Sequence, residues 1–217
     1  MLIQSNVFSD RVVHGFTDAT YDLSPHAEDW SQFPLFFGPS YHYALVSQVH
    51  GNSCLRASKG GLVGEADALV TEKKGLVLAI RTADCVPVLV EAESEVVVIH
   101  AGWRGIANGI IEQTLSNVEG LRCAAIGPCI SVDAYEVGAE VVDGITCAGV
   151  PRDVFVQERQ PRPHVDLKAA ARFQLQRAGV PNIDVLPHCT FLDENFHSYR
   201  RDGNGSGRLA GFIGFVV

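Results

Sequence analysis

Short apolar runs rich in valine, isoleucine and leucine recur along the chain and limit its possible folds more than any other feature. Runs of this length and composition are typical of strands buried within a sheet. They predict strands at 43–49, 68–71, 76–81, 96–99, 124–126, 154–156, 183–186 and 212–217. All of them are much shorter than the ~20 apolar residues that a membrane helix needs, so we expect no membrane partner.

Helical periodicity appears in three segments between the predicted strands. Residues 104–117 place isoleucine and leucine on one face, and residues 166–178 begin with Asp166 as a capping residue and end before Gly179. A third helix is predicted over 138–147. Because strands and helices share the chain, the expected fold is α/β or α+β.

The organisation of the chain predicts a single domain over residues 1–217. No internal repeat or low-complexity segment is visible, and the Pro- and Gly-containing stretches are short enough to be loops. Residues 18–40 have no clear periodicity, so we predict a long connection packed on the surface.

Charge and cysteine content exclude some classes of function. Seventeen Lys and Arg against 25 Asp and Glu give a net charge of -8, which opposes general nucleic-acid binding because that requires a basic face. The six cysteines form no CxxC pair, and the first residues lack the basic and apolar regions of a secretion signal. These features predict a cytoplasmic protein with reduced thiols.

Potential metal ligands follow apolar strands at three places, each beside a tight turn of small residues. The ligands are His50, Cys85 and His100. Strand ends are where side chains distant in sequence converge, and two imidazoles with a thiolate would form a zinc site with an open fourth position. Their spacing matches no compact ligand motif. A second interpretation therefore remains open, with both histidines hydrogen-bonded at strand ends and Cys85 a small buried apolar residue.

Longer motifs occur in a fixed order along the chain. They are Gln48-Val49-His50-Gly51, Ala66-Asp67-Ala68-Leu69-Val70-Thr71, Thr82-Ala83-Asp84-Cys85-Val86-Pro87-Val88, His100-Ala101-Gly102-Trp103-Arg104-Gly105, Ile126-Gly127-Pro128-Cys129-Ile130 and Phe196-His197-Ser198-Tyr199-Arg200-Arg201-Asp202-Gly203. From about Tyr43 to the C-terminus the chain resembles the YfiH family. These proteins are also called laccase-domain, multicopper polyphenol oxidase-like, peptidoglycan-editing-factor or FAMIN-like proteins.

The resemblance implies both a fold and an activity. The implied fold is a single-domain α/β (α+β) sandwich with mixed β-sheet and flanking helices. The implied activity is that of a zinc-dependent purine nucleoside enzyme, which phosphorolyses adenosine, inosine, guanosine and methylthioadenosine and deaminates adenosine. The family's zinc ligands map onto His50, Cys85 and His100, with one zinc ion per chain. The implied partners are purine nucleosides and phosphate.

The chain departs from the family pattern near its N-terminus. Family members continue a His-Gly-Phe stretch through Thr-Arg, whereas here Thr17 is followed by Asp18. An arginine at that place could hold phosphate, and Asp18 would repel it.

Further candidate residues have both a functional and a structural interpretation. Cys85 and Asp84 are the candidate catalytic groups. Asp84 could also orient a ligand imidazole, or be a turn carboxylate. Arg104 opens a helix, where a cation is poorly placed for the helix dipole unless it serves a ligand. Arg200 and Arg201 could present guanidinium groups to phosphate or form a solvated pair. Glu136 could bind a purine edge or shuttle a proton, or be an ordinary surface residue.

Two alternative functions follow from the family's other names. A copper-dependent, laccase-like polyphenol oxidase would need several coppers and many more histidine ligands than this chain offers, and its eight histidines include no His-x-His pair. Copper is therefore the alternative metal rather than the expected one. The second alternative is a cytoplasmic editing factor for peptidoglycan precursors.

Overall fold

The structure is a computed structural model that describes residues 1–25 and 33–217. The strands are β1 (Leu2–Ile3), β2 (Val12–Thr17), β3 (His42–Ser47), β4 (Cys54–Arg56), β5 (Gly61–Glu65), β6 (Ala68–Thr71), β7 (Leu76–Thr82), β8 (Val86–Ala92), β9 (Val96–Ala101), β10 (Leu121–Ile126), β11 (Val156–Gln157), β12 (His164–Val165), β13 (Asn182–Val185) and β14 (Leu209–Phe215). The α-helices are α1 (Trp103–Ala107), α2 (Ile110–Leu115), α3 (Ala139–Cys147), α4 (Arg152–Phe155), α5 (Leu167–Arg177) and α6 (Tyr199–Asp202). Short 3-10 helices lie at Phe33–Phe36 and Gly203–Gly205.

Most strands belong to two six-stranded sheets. The first sheet has the order β1-β2-β14-β7-β3-β5 and the second β13-β10-β8-β9-β6-β4. Both are mixed, because β14 runs antiparallel to β2 and β7 whereas β3 runs parallel to β7 and β5, and β10 pairs antiparallel with β8 but parallel with β13. The predicted α+β sandwich with mixed sheet and flanking helices is therefore confirmed.

Successive side chains of the central strands point to opposite faces of their sheet and so contribute to two different apolar layers. In β7, Leu78 and Ile80 belong to the apolar cluster between the two sheets, while Val77 and Ala79 belong to the cluster on the outer face of the first sheet. In β9, Val98 faces the first sheet and joins the same inter-sheet cluster. The opposite face of the second sheet packs against the helices. Both central strands are thus buried on two faces, as their continuous apolar sequence predicts.

The three predicted helices form, with one interruption. The segment predicted as one helix over 104–117 is divided into α1 and α2, because Gly109 between them adopts a positive φ of 70° and the αL conformation breaks a right-handed helix. Helix α5 begins as predicted, since the Asp166 carboxylate accepts a hydrogen bond from the Ala169 backbone N–H at 2.9 Å. None of the helices in the described part of the chain is long and apolar enough to cross a membrane.

Some strand predictions need correction. Residues 154–156 were predicted as a strand, but helix α4 extends through Phe155 and β11 begins at Val156. Strand β8 was not predicted although all its residues are buried, because Pro87 and Glu91 interrupt its apolar pattern. Part of the connection predicted over 18–40, residues 26–32, lies outside the described residues. On either side of that part, Leu23 and Phe33 are buried against the outer face of the first sheet.

Candidate active site

The three potential metal ligands converge at one end of the two sheets. His50 follows β3, Cys85 lies in the turn between β7 and β8, and His100 lies near the end of β9. Their ligand atoms all lie within 4.8 Å of one another. The imidazole rings of His50 and His100 meet edge to face, with centroids 4.9 Å apart. The strand-end pattern therefore predicts correctly which side chains come together.

Asp67 connects two of these ligands. Its fully buried carboxylate accepts a hydrogen bond from the His100 ring Nδ1 at 2.8 Å and from the backbone N–H groups of Val49, His50 and Gly51 at 3.2, 3.0 and 2.7 Å. When Nδ1 carries the proton, Nε2 of His100 has a free lone pair for a metal. Asp67 thus fixes both the loop that carries His50 and the orientation of His100.

The charges around the cluster favour a cation. Burial raises the pKa of the Cys85 thiol, but the charge and hydrogen bond of His100 and the hydrogen bond of His50 outweigh it and lower that pKa to about 6. Burial lowers the pKa of His100, but the Cys85 thiolate and Asp67 outweigh it and raise that pKa to about 9. A thiolate beside a carboxylate attracts either a proton or a metal ion to the imidazole.

Two residues of the site have an unusual backbone conformation. His50 has φ 58° and Asp84 has φ 88°, and they are the non-glycine residues with positive φ in the described part of the chain. Such conformations concentrate at functional sites. Here they turn the chain sharply after β3 and before Cys85.

The donor set fits a single transition metal ion. Two imidazole nitrogens and one thiolate sulfur are the ligands that Zn²⁺ prefers, and in a tetrahedral site such atoms lie about 3.5 Å apart. Gly102 leaves space beside them, because a Cβ added there would lie 3.1 Å from Cys85 Sγ and 3.2 Å from His50 Cδ2. The residues present can therefore hold a metal.

Gly102→Ala tests this tight packing. Gly102 has φ -67°, which any residue adopts, so we expect the variant to fold normally while its methyl group displaces two ligands by a few tenths of an ångström. We expect Zn²⁺ affinity to fall about tenfold, measured by competition with a chelating dye. Gly205→Ala is the matched control, because a Cβ there has no neighbour within 4 Å. Equal affinities in the two variants would contradict this account of the cluster.

The cluster opens into a cavity of about 670 Å³, within the roughly 300–1,000 Å³ range of small-molecule sites. Its walls combine apolar and aromatic side chains with arginines. Besides the three ligands, the described lining residues are Pro25, Gln48, Arg81, Thr82, Ala83, Asp84, Trp103, Arg104, Ile130, Tyr135, Tyr199, Arg200 and Arg208. Among these described residues, four arginines and one carboxylate make the cavity cationic in a chain whose net charge is -8.

The predicted site residues divide into two groups. Asp84, Arg104 and Arg200 line the cavity, whereas Arg201 and Glu136 are not among the lining residues. The Arg201 guanidinium donates to the carbonyls of residues 190, 191 and 196 and pairs with Asp202 at 2.9 Å. Glu136 contacts a cavity residue through its backbone, because its carbonyl oxygen accepts a hydrogen bond from Arg200 Nη1 at 3.1 Å.

Asp84 does not orient a ligand imidazole, which was one expectation for it. Its carboxylate accepts hydrogen bonds from the Thr190 hydroxyl at 2.7 Å and from the Arg200 backbone N–H at 2.6 Å, and Asp67 contacts His100 instead. The reason is positional, because Asp67 immediately precedes β6, which pairs with β9. Asp84 ties the segment that carries Arg200 to the metal-ligand turn.

Sequence reasoning missed several cavity residues. Arg81 is the penultimate residue of β7, Arg208 immediately precedes β14, and Gln48 lies between β3 and His50. A charged residue directly after the apolar run 76–80 was a usable signal for Arg81. Asp67, which contacts His100 but does not line the cavity, also had a signal, as an isolated acid between alanines. Arg208 had no local signal.

The fold and the site together define a two-sheet α+β protein with a His–Cys–His cluster that can hold a metal ion above a cationic cavity. The family model described as multi-copper polyphenol oxidoreductase laccase matches residues 32–216, and the chain belongs to this family.

Three similar proteins illustrate the relationship. Purine nucleoside phosphorylase YfiH of Escherichia coli strain K12 is 36% identical over 179 residues, covering 79% of this chain and 73% of the relative. Adenosine deaminase RL5, from an unknown prokaryotic organism, is 42% identical over 156 residues, covering 65% of this chain and 59% of the relative. A crystal structure of a Neisseria meningitidis protein superposes with a TM-score of 0.88 at 29% identity, covering 100% of this chain and 99% of that one. The resemblance to the YfiH family is confirmed.

Proposed function

We propose that the chain is a zinc-dependent purine nucleoside enzyme. It phosphorolyses adenosine, inosine, guanosine and methylthioadenosine and also deaminates adenosine. The observation that carries this proposal is the His50–Cys85–His100 cluster at the wall of a cationic, aromatic cavity of about 670 Å³. The relatives named purine nucleoside phosphorylase and adenosine deaminase support both reactions.

Zinc suits this donor set better than copper in a laccase-like centre. A bound zinc ion supplies Lewis-acid stabilisation of negative charge and lowers the pKa of a coordinated water. In the described residues, His50, Cys85 and His100 form the one group of three or more close metal-ligating side chains, whereas a multicopper oxidase requires several such groups. The ligand count therefore supports a single-metal enzyme.

Aromatic walls suit a purine ring. Trp103 and Tyr135 line the cavity, and a guanidinium lies over each ring. The Arg104 guanidinium is 4.5 Å from the Trp103 ring centroid, and the Arg200 guanidinium is 5.0 Å from the Tyr135 ring centroid. Burial raises the pKa of the Tyr135 phenol, so it remains a protonated hydrogen-bond donor at neutral pH. Stacking between such groups binds a flat heterocycle.

Asp84 is the proposed proton carrier in both reactions. In deamination, water adds to C6 of adenine and ammonia leaves, so a proton must move from the water to the departing nitrogen. In phosphorolysis, a phosphate oxygen bonds to C1′ as the bond from C1′ to the purine nitrogen breaks, and the proton that phosphate loses passes to the leaving purine. Asp84 is the one carboxylate among the described lining residues, and its two hydrogen bonds hold it in place.

The remaining predicted residues receive separate roles in this proposal. Arg104 and Arg200 contact the substrate from the rim, because both are exposed and line the cavity. Arg201 holds the loop that carries Arg200, since its guanidinium is occupied by carbonyls of that region and by Asp202. Glu136 supports Arg200 through its carbonyl.

Product analysis tests the proposed function. With phosphate, we expect the zinc-loaded protein to convert adenosine to adenine and ribose 1-phosphate and inosine to hypoxanthine and ribose 1-phosphate. Without phosphate, adenosine should yield inosine and ammonia, while inosine should persist. Chromatography resolves all these products.

A metal-stripped sample and a phenol assay complete this experiment. The stripped sample should lose turnover and regain it with Zn²⁺. Oxygen consumption with a phenol by the copper-loaded protein, together with no consumption of nucleosides by the zinc-loaded protein, would replace this proposal with the oxidase.

A further inference from the structure

Two arginines that sequence reasoning missed lie side by side in the cavity. In the β7–β14 pair, Arg81 is directly opposite Ala210, and Arg208 lies two residues before Ala210. Residues two apart in an extended chain face the same side, so Arg81 and Arg208 are diagonal neighbours on one sheet face. Both line the cavity that contains the His–Cys–His cluster.

Neither arginine has an acidic partner among the residues that the structure describes. Ion pairs in the described part of the chain engage other arginines, among them Arg56, Arg152 and Arg177, but not Arg81 or Arg208. Arg81 Nη2 donates to the Val46 carbonyl at 3.3 Å. Arg208 Nη1 donates to the carbonyls of residues 206 and 207 at 2.7 and 2.9 Å. Since a guanidinium has five N–H donors, both retain donors for a ligand.

The structure holds the two charges together despite their repulsion. Both side chains are half-buried, and burial followed by the charge of Arg208 lowers the pKa of Arg81. By contrast, the other two cavity arginines, Arg104 and Arg200, are exposed. Half-buried like charges without an acid between them are costly unless an anion joins them.

Local contacts also fix the position of this pair. The Gln48 side chain accepts a hydrogen bond from the Arg81 backbone N–H at 2.8 Å and donates one to the Arg81 carbonyl at 2.7 Å. The Arg208 backbone N–H donates to the Asp22 carboxylate at 2.9 Å, and its guanidinium lies 5.9 Å from the Tyr199 ring centroid. These contacts therefore preorganise the pair through its backbone groups and the Tyr199 ring.

We propose that Arg81 and Arg208 together bind the phosphate cosubstrate through charge-assisted hydrogen bonds. This inference rests on the proposed phosphorolysis and assigns its anion to residues of this chain. It also accounts for the missing arginine after Thr17. Asp18, which stands there, accepts hydrogen bonds from Thr20 and is not among the lining residues of the cavity.

Direct binding of inorganic phosphate tests the pair without relying on turnover. Calorimetric titration of the zinc-loaded protein should show that Arg81→Lys and Arg208→Lys each weaken phosphate binding about tenfold, because lysine keeps the charge but loses the planar fork. Arg81→Gln and Arg208→Gln should weaken it further. Arg122→Lys, an exposed change outside the cavity, should match the parent protein. Circular dichroism spectra establish that each variant is folded.

Steady-state kinetics, read together with phosphate binding, separates the possible failures. In steady-state phosphorolysis, the KM for phosphate should rise in the pair variants more than the KM for inosine does. Phosphorolysis by the parent protein with unchanged phosphate binding in folded pair variants would overturn this inference but leave the proposed function standing. Phosphate binding that depends on the pair, without any nucleoside turnover, would support the anion site and defeat the proposed function.

Adenosine 5′-monophosphate distinguishes free phosphate from the phosphate group of a nucleotide. We expect inorganic phosphate to bind without a nucleoside present. If the pair bound the nucleotide and not inorganic phosphate, the assignment to the cosubstrate would be wrong.

Discussion

Replacing Cys85 by serine is expected to reduce bound zinc from about one ion per chain to a small fraction of that value, because a three-ligand site tolerates loss of its thiolate poorly. Both nucleoside reactions should slow at least about a hundredfold. Serine preserves the size of the side chain, so the loss reports on the sulfur ligand rather than on packing. Elemental analysis of the reconstituted protein measures the metal directly.

Cys147→Ser provides the control for this change. Cys147 is an exposed thiol at the end of α3 and does not line the cavity, so its removal should leave zinc content and turnover at the level of the parent protein. Cobalt(II) substitution adds a spectroscopic test, since the thiolate-to-metal absorption band should vanish with Cys85→Ser and persist with Cys147→Ser. Full zinc occupancy in the Cys85 variant would refute the metal assignment.

Asp67→Asn is expected to weaken both the fold and the metal site. The two oxygens of the Asp67 carboxylate accept four hydrogen bonds, three from backbone N–H groups and one from His100. An amide has one oxygen, and its NH₂ group would face donors. We expect the free energy of unfolding of the zinc-free protein to fall by about 2–4 kcal/mol and Zn²⁺ affinity to fall about 10- to 100-fold.

Urea denaturation and metal titration measure these two effects separately. Asp143→Asn is the matched control, because Asp143 is exposed on α3 and should change neither quantity. If Asp67→Asn behaved like this control, Asp67 would not be the residue that organises the His50 loop and His100.

The sequence predicts the fold best where local pattern and tertiary environment agree. Strand β6 has the predicted bounds, and β9 begins as predicted but continues to Ala101; the residues of both strands are buried. The sequence does not predict strand β8, because Glu91 interrupts its apolar run. In the structure this carboxylate is buried and accepts hydrogen bonds from the Ser9 backbone N–H and hydroxyl. That compensation comes from a distant segment, so no local pattern reveals it.

The site was predictable to a similar extent. His50, Cys85 and His100 stand at strand ends in motifs that occur in a fixed order, so residue pattern and family resemblance agree on them. The neighbouring arginines depend instead on the pairing of β7 with β14, which lie far apart in sequence. Only this register places Arg81 beside Arg208. Arg201 is easier to notice in the sequence, but its guanidinium donates hydrogen bonds to backbone carbonyls of its own loop.

The left-handed backbone at His50 and Asp84 carries a cost in stability. Holding a non-glycine residue in such a conformation costs on the order of 1 kcal/mol. Glycine would relieve that cost at His50, because the hydrogen bond from the backbone N–H to Asp67 would remain, but at Asp84 it would also remove the hydrogen bonds from Thr190 and Arg200. Selection for thermal resistance alone would therefore favour glycine at position 50, where the chain has a potential metal ligand. Engineering this scaffold for heat tolerance should leave both turns unchanged and seek stability in the core between the sheets.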